Sequence, residues 1–148
     1  MKYITLLLPL FLIACGGESP KEAPSGQAGD SGLSAEQLEH GIGPIAAFDP
    51  GPIDPDLAKA GSEIFTTKCS ACHKMDERYV GPALGDVATR RSPAYIMNMV
   101  LNPDEMIQKH PEAKALLAQF MTPMANQNLT ENEARAVLEY LREQQTAR

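Results

Sequence analysis

The chain has 148 residues, 43% of them hydrophobic and 5% aromatic, with no Trp, which suits one small domain and is short for two. Its formal charge of −6, its pI near 5.0 and the lack of any basic run exclude a nucleic-acid binder. So few large rings leave an ordinary core short of bulk, a deficit that a buried cofactor can fill.

Lys2 precedes an apolar run from Tyr3 to Ile13, too short to span a bilayer but shaped like an export signal. The run ends in Leu12-Ile13-Ala14-Cys15, which resembles the bacterial lipobox, where a small residue precedes cleavage and the cysteine sulfur receives a diacylglyceryl group. The resemblance implies a signal peptide over 1–14, lipidation of Cys15 as the mature N-terminus, and a location on the periplasmic side of a bacterial membrane. Ordinary secretory cleavage, with Cys15 a free thiol, is the competing reading. Several acyl chains give stable anchoring where one binds only marginally. Without residues 1–14, 12 basic groups face 19 acidic ones, a charge of −7.

Residues 15–33 read as a tether, because Gly16 to Gly32 (GGESPKEAPSGQAGDSG) offers no large apolar side chain to bury. Counted to about residue 52, a flexible chain reaches roughly 33 Å r.m.s.. Residues 34–53 form an extension. Ser34 and Gln37 have the spacing of a capping box, Gly41 can close a short helix, and Ile45, Phe48 and Ile53 are set among Pro and Gly. These apolar residues predict a strap across the domain; continued disorder is the alternative.

The domain proper is expected over 54–148. Asp54-Pro55 is a cap followed by a first-turn proline, predicting a helix to about Lys68 with Leu57, Gly61, Ile64 and Phe65 near one face. Ser92-Pro93, Asn102-Pro103 and His110-Pro111 repeat that punctuation and predict three more helices. Thr130 and Glu133 form a second capping box, opening a last helix with Ala134, Val137, Leu138 and Leu141 on one face. No strand-length alternation of β-branched residues occurs, so the class is all-α.

Between the first two of these helices lies Cys69-Ser70-Ala71-Cys72-His73. Structural zinc wants four ligands, commonly a second Cys or His pair, and the chain offers one pair with His40 and His110 far away. A redox-active C-x-x-C wants a strand before it and a helix N-terminus to lower the thiol pKa, whereas Cys69 follows a helix. The five residues together are the c-type haem attachment sequence, in which two thioethers grip the porphyrin vinyl positions and the adjacent histidine meets the iron. Export to a compartment where such haem is attached agrees with it.

From about Asp54 onward the chain resembles the class I cytochrome c family. Gly61 and Phe65 precede the haem motif as in the family's first helix, and Tyr140 stands where an aromatic supports the crossing of first and last helices. Val80-Gly81-Pro82-Ala83-Leu84 resembles the family's Gly-Pro segment, so the resemblance gives the Pro82 carbonyl the role of hydrogen-bond acceptor for the proximal His73. It further implies one covalent haem c on Cys69 and Cys72 and a distal methionine. Met124, about six residues ahead of the Thr130 cap, fits best. Met121 stays open as the alternative, because Pro123 precedes Met124 where the family often has proline after its methionine. Met97, Met99 and Met106 read as packing residues. The tryptophan that many members use for a propionate is missing, leaving Tyr95, Arg90 and Arg91 as candidate propionate partners. Asn126, Gln127 and Asn128 either tune the methionine side or make the loop turns. His40 and His110 are expected to face solvent.

With both axial positions filled, the chemistry left is one-electron exchange, so the expectation is a carrier, not an enzyme. Tethering at a membrane suits a monomer that shuttles from a quinol:cytochrome c oxidoreductase-type donor to a haem-copper oxidase or nitrous-oxide reductase. The rival readings are a fixed subunit of a respiratory complex, or a five-coordinate haem sensor or peroxidase.

Overall fold

The computed structural model describes residues 32–146. The expected signal peptide, Cys15 and the tether as far as residue 31 lie outside the described residues. Every regular element among those described is helical.

Helix α1 (Ala35–His40) opens on a complete capping box: the Ser34 hydroxyl accepts from Gln37 N–H at 3.2 Å and the Gln37 amide oxygen accepts from Ser34 N–H at 3.0 Å. Gly41, at φ 79°, ends it. In α2 (Pro55–Ile64) the Asp54 carboxylate accepts from the Asp56 and Leu57 N–H groups, and Pro55 takes the first position, where a missing N–H costs nothing. The α-helix does not continue to Lys68 as the spacing predicts. It widens into a π turn over Phe65–Cys69, with Ser70 N–H donating to Phe65 O. Thr66, Thr67 and Ser70 donate their hydroxyls to carbonyls four residues back, competing with the regular ladder there.

A four-residue helix, α3 (Val87–Arg90), follows Asp86, whose carboxylate pairs with Arg90 instead of capping. The three proline-led helices follow as α4 (Pro93–Leu101), α5 (Pro103–Lys109) and α6 (Pro111–Phe120). The last, α7 (Glu131–Thr146), starts from the Thr130–Glu133 box, with Glu133 accepting from Thr130 N–H at 2.8 Å. That backbone bond, and then the Thr130 hydroxyl, hold the Glu133 carboxyl below its ordinary range.

Helices α2 and α7 cross closely. A Cβ at Gly61 would meet the Ala136 carbonyl carbon at 2.5 Å and Tyr140 Cβ at 2.9 Å, so only glycine admits this approach. Phe65 and Tyr140 then meet ring to ring, with centroids 5.3 Å apart. Phe65, Ile96, Met97, Val137, Leu138 and Leu141 are buried in one cluster behind the crossing. Each such side chain contributes about 1.5–3 kcal/mol of burial.

The extension packs against this core at both of its ends. Asn98, wholly buried on α4, donates to His40 O and Ile45 O and accepts from Ile45 N–H, all within 3.0 Å. A Cβ on Gly43 would strike the Asn98 amide, which explains the small residue there. At the other end, buried Glu139 on α7 is paired with Arg135 and Arg142. Those guanidinium groups also donate to Pro50 O and Gly51 O. Ile45 and Phe48 pack on the main cluster.

The solvent-facing expectation for His110 is overturned. The side chain is 1% exposed, its Nε2–H donates to Leu38 O at 3.1 Å, and Nδ1 accepts from Glu112 N–H at 3.3 Å. The sequence shows only the helix boundary at His110-Pro111; the burial comes from α1, arriving from 72 residues away. His40 is half-buried, hydrogen-bonded to Ser92 Oγ at 3.0 Å.

Candidate haem-binding cavity

Among the described residues the helices leave between them an apolar cavity of about 230 Å³. The π turn brings Lys68 and Cys69 to its wall, and Cys72 and His73 follow directly. Neither cysteine is in a disulfide among the described residues; Cys69 is half-buried and Cys72 exposed. Burial raises the Cys69 thiol pKa, while the Lys68 ammonium pulls it down and Cys72 pushes it up. Its neutral state at neutral pH differs from the thiolate of a redox pair. Among the described residues no group of three or more His, Cys, Asp or Glu side chains converges, so Cys69, Cys72 and His73 lack the further ligand that structural zinc requires.

The loop after His73 folds back on it. Gly81 N–H donates to Cys72 O at 2.8 Å, Leu84 N–H to Lys74 O at 3.0 Å, and Gly85 N–H to Met75 O at 2.9 Å. This places Pro82 O 3.0 Å from His73 Nδ1. A carbonyl can only accept, so Nδ1 carries the proton and Nε2 keeps a lone pair for a metal. Gly81 lies flat against the imidazole: a Cβ there would sit 2.5 Å from Cε1 and 2.9 Å from Nδ1.

Of the two methionines left open by the sequence, Met124 lines the cavity. Met121 does not; it closes α6 in the left-handed region (φ 55°, ψ 19°) and is 82% exposed. In the same loop Asn126 Oδ1 accepts from Asn128 N–H, making a turn, while Gln127 reaches the cavity wall.

Arg90, Arg91 and Tyr95 also line the cavity. Arg90 is paired with Asp86 at 2.9 Å, and Arg91 with Glu112 while its guanidinium lies over the Tyr95 ring. Tyr95 is 4% exposed, and its hydroxyl has no hydrogen-bond partner among the described residues. Burial pushes its pKa up, Arg91 opposing and Glu112 adding to the shift, so the group stays a proton donor. An unpaired buried hydroxyl costs about 1–3 kcal/mol unless something accepts from it. A carboxylate on a ligand within the cavity would.

Sequence reasoning missed the apolar wall opposite in chain order: Met99, Ile107, Leu116, Leu117 and Phe120 all reach the cavity. Their helical spacing was visible, but nothing local distinguishes a side chain packed on protein from one packed on a ligand. The residues present thus fit a flat apolar group bonded to two thiols, held by an imidazole nitrogen and carrying a carboxylate.

Comparison with known proteins agrees. The cytochrome c family model matches residues 58–145. The solved cytochrome c from Rhodothermus marinus is 47% identical and superposes with a TM-score of 0.73, covering 78% of this chain and all of the other. An engineered cytochrome c from the same organism is 48% identical at a TM-score of 0.71, covering 75% and 97%. A further structure of that engineered protein, bound to a carbene intermediate, gives a TM-score of 0.69. Cytochrome c-551 of Stutzerimonas stutzeri is 44% identical over 41 residues, a stretch that spans 27% of this chain and 39% of that relative.

Proposed function

The chain belongs to the cytochrome c family, and on that footing we propose that it carries single electrons between membrane respiratory complexes through a haem ligated by His73 and Met124. It has the all-helical fold of a class I cytochrome c, with haem c bonded through the thioethers of Cys69 and Cys72. The observation that carries the carrier reading is the pairing of His73, with its tautomer fixed by Pro82, and Met124 on the wall of one cavity.

Haem iron supplies the one-electron ferric/ferrous couple. The residues of the chain keep that couple simple. His73 would hold the iron through Nε2 and Met124 through its thioether, and the apolar side chains from α4 and α6 would shield it from water. A thioether and an imidazole as ligands would favour the ferrous state relative to two imidazoles and so raise the potential. The Tyr95 hydroxyl, with Arg91 beside it, suits an inner propionate; Arg90 stands at the same wall.

The tether composition of residues 15–33, with a lipid on Cys15, supports a carrier held at the periplasmic side of the membrane, working as a monomer. A quinol:cytochrome c oxidoreductase-type complex would donate, and a haem-copper oxidase or nitrous-oxide reductase would accept. Weak, small docking contacts serve such exchange.

The test is a visible spectrum of the haem-loaded protein, oxidised and reduced, before and after carbon monoxide. We expect a ferric thioether-to-iron band at the red edge and no change with carbon monoxide. Met124→Ala should lose the band and bind carbon monoxide, while Met121→Ala should keep the band. A wild-type spectrum that shifts with carbon monoxide, or a band lost in Met121→Ala instead, would sink the assignment.

A further inference from the structure

Two cationic side chains reach across from the Cys69–His73 side of the cavity to the segment that carries Met124. Lys68 Nζ donates to Gln127 O at 3.2 Å, linking positions 59 residues apart. Arg78 Nη2 donates to Gln119 O at 3.0 Å, 41 residues away, and its guanidinium lies 4.3 Å from the centre of the Phe120 ring. The first contact falls three residues after Met124 and the second four to five residues before it. Lys68, Phe120, Met124 and Gln127 all line the cavity, so the two contacts bracket the stretch of chain closing its Met124 side.

Among the described residues, few other hydrogen bonds hold the segment between those brackets. Its bonds are mostly internal, Gln127 Nε2 to Ala125 O and Asn128 N–H to Asn126 Oδ1. One further long-range bond, Asn126 Nδ2 to Leu101 O, is 3.5 Å long. Met121 begins the segment exposed and left-handed, and Pro123 has no N–H to donate. A segment with few buried contacts opens locally at a small cost compared with global unfolding.

We propose that Lys68 and Arg78 are positioning residues that hold the 120–127 segment closed and thereby keep the Met124 thioether on the iron against competing ligands. This rests on the Met124 reading above. Opening breaks the iron–sulfur bond, and an outside donor such as imidazole forms an iron–nitrogen bond in its place, with no change in oxidation state. Neither cation is assigned a bond to the iron. Each acts only through the segment, one by a carbonyl bond, the other by a carbonyl bond and a stacked ring.

The measurement is imidazole affinity of the ferric, haem-loaded protein, followed by loss of the red-edge band at 25 °C. Lys68→Met and Arg78→Met keep the apolar stems and remove the donors. Each should bind imidazole about two- to fivefold more tightly than wild type, with the double variant near the product of the two. Lys68→Arg, which can still donate to Gln127 O, should return towards wild-type affinity, and Lys59→Met, an exposed charge on α2, should not differ from it. A merely structural role would lower thermal stability and leave imidazole affinity alone. Wild-type affinity in both Met variants, with the band present and lost in Met124→Ala, overturns the positioning role only. A wild-type protein without that band overturns this role and the Met124 ligation together.

Discussion

Gly81 shows how one missing side chain sets the chemistry of a neighbour. Its Cα lies so close to the His73 ring that an added Cβ would fall within 3.1 Å of three ring atoms. The ring, not the glycine, would then have to move, and the Nδ1 bond to Pro82 O would go with it. Gly81→Ala is expected to leave haem attached, because Cys69 and Cys72 are untouched, but to change the proximal ligand field. Losing the Nδ1–H acceptor makes the imidazole a poorer donor to ferric iron, so the midpoint potential should rise. A redox titration that finds the wild-type potential would show that the loop absorbs the methyl group. The Gly-Pro pair was legible in the sequence as a turn and, through the family resemblance, as an acceptor. Tyr95 was legible as a candidate propionate partner from its type and its place after the Gly-Pro loop; its hydroxyl, unpaired among the described residues, becomes a clue once α4 has buried it beside the cavity.

At the level of elements, helix ends were the clearest features in the sequence because capping is chemistry within four residues. The boxes at Ser34–Gln37 and Thr130–Glu133 and the cap-then-proline starts of α2 and α4 depend on no distant partner. The π turn at Phe65–Cys69 was not legible, since hydroxyl competition for carbonyls is a matter of geometry and not of pattern. The crossing of α2 and α7 is the contact on which the core is built. Gly61→Ala gains about 1 kcal/mol of helix propensity. Against that, the new Cβ would run into the Ala136 backbone, which cannot rotate away, and such overpacking costs about 1–3 kcal/mol. Chemical denaturation should therefore show a net loss of stability; a gain would mean that the helices can part freely.

Across the whole molecule, the extension behaves as part of the domain. Its inner half is fixed by Asn98 and His110, its outer half by the Arg135–Glu139–Arg142 cluster. Asn98→Ala would leave the Ile45 N–H and the His40 and Ile45 carbonyls, all part-buried, without their partner. The expected cost is about 1–3 kcal/mol, because partial exposure lets water replace some of the lost bonds. The loss should appear in thermal unfolding, together with new protease cleavage between Gly41 and Ile53 and an unchanged haem spectrum. Unaltered protection of that stretch would place its anchoring wholly at the Glu139 end.

By itself the sequence determined the all-α class, the helix starts and the haem attachment residues, because each is written in a few adjacent positions whose chemistry is local. The family resemblance favoured Met124, and the tertiary structure sets Met124, not Met121, on the cavity wall. Met121 and Met124 are three residues apart and alike in composition, and the left-handed end of α6 turns one to solvent while the other lines the wall. It also decided that His110 is buried, that Arg90, Arg91 and Tyr95 share one wall, and that Lys68 and Arg78 reach the Met124 segment. Those facts depend on contacts between residues far apart in the chain, and such contacts exist only once α2, α4, α6 and α7 have packed.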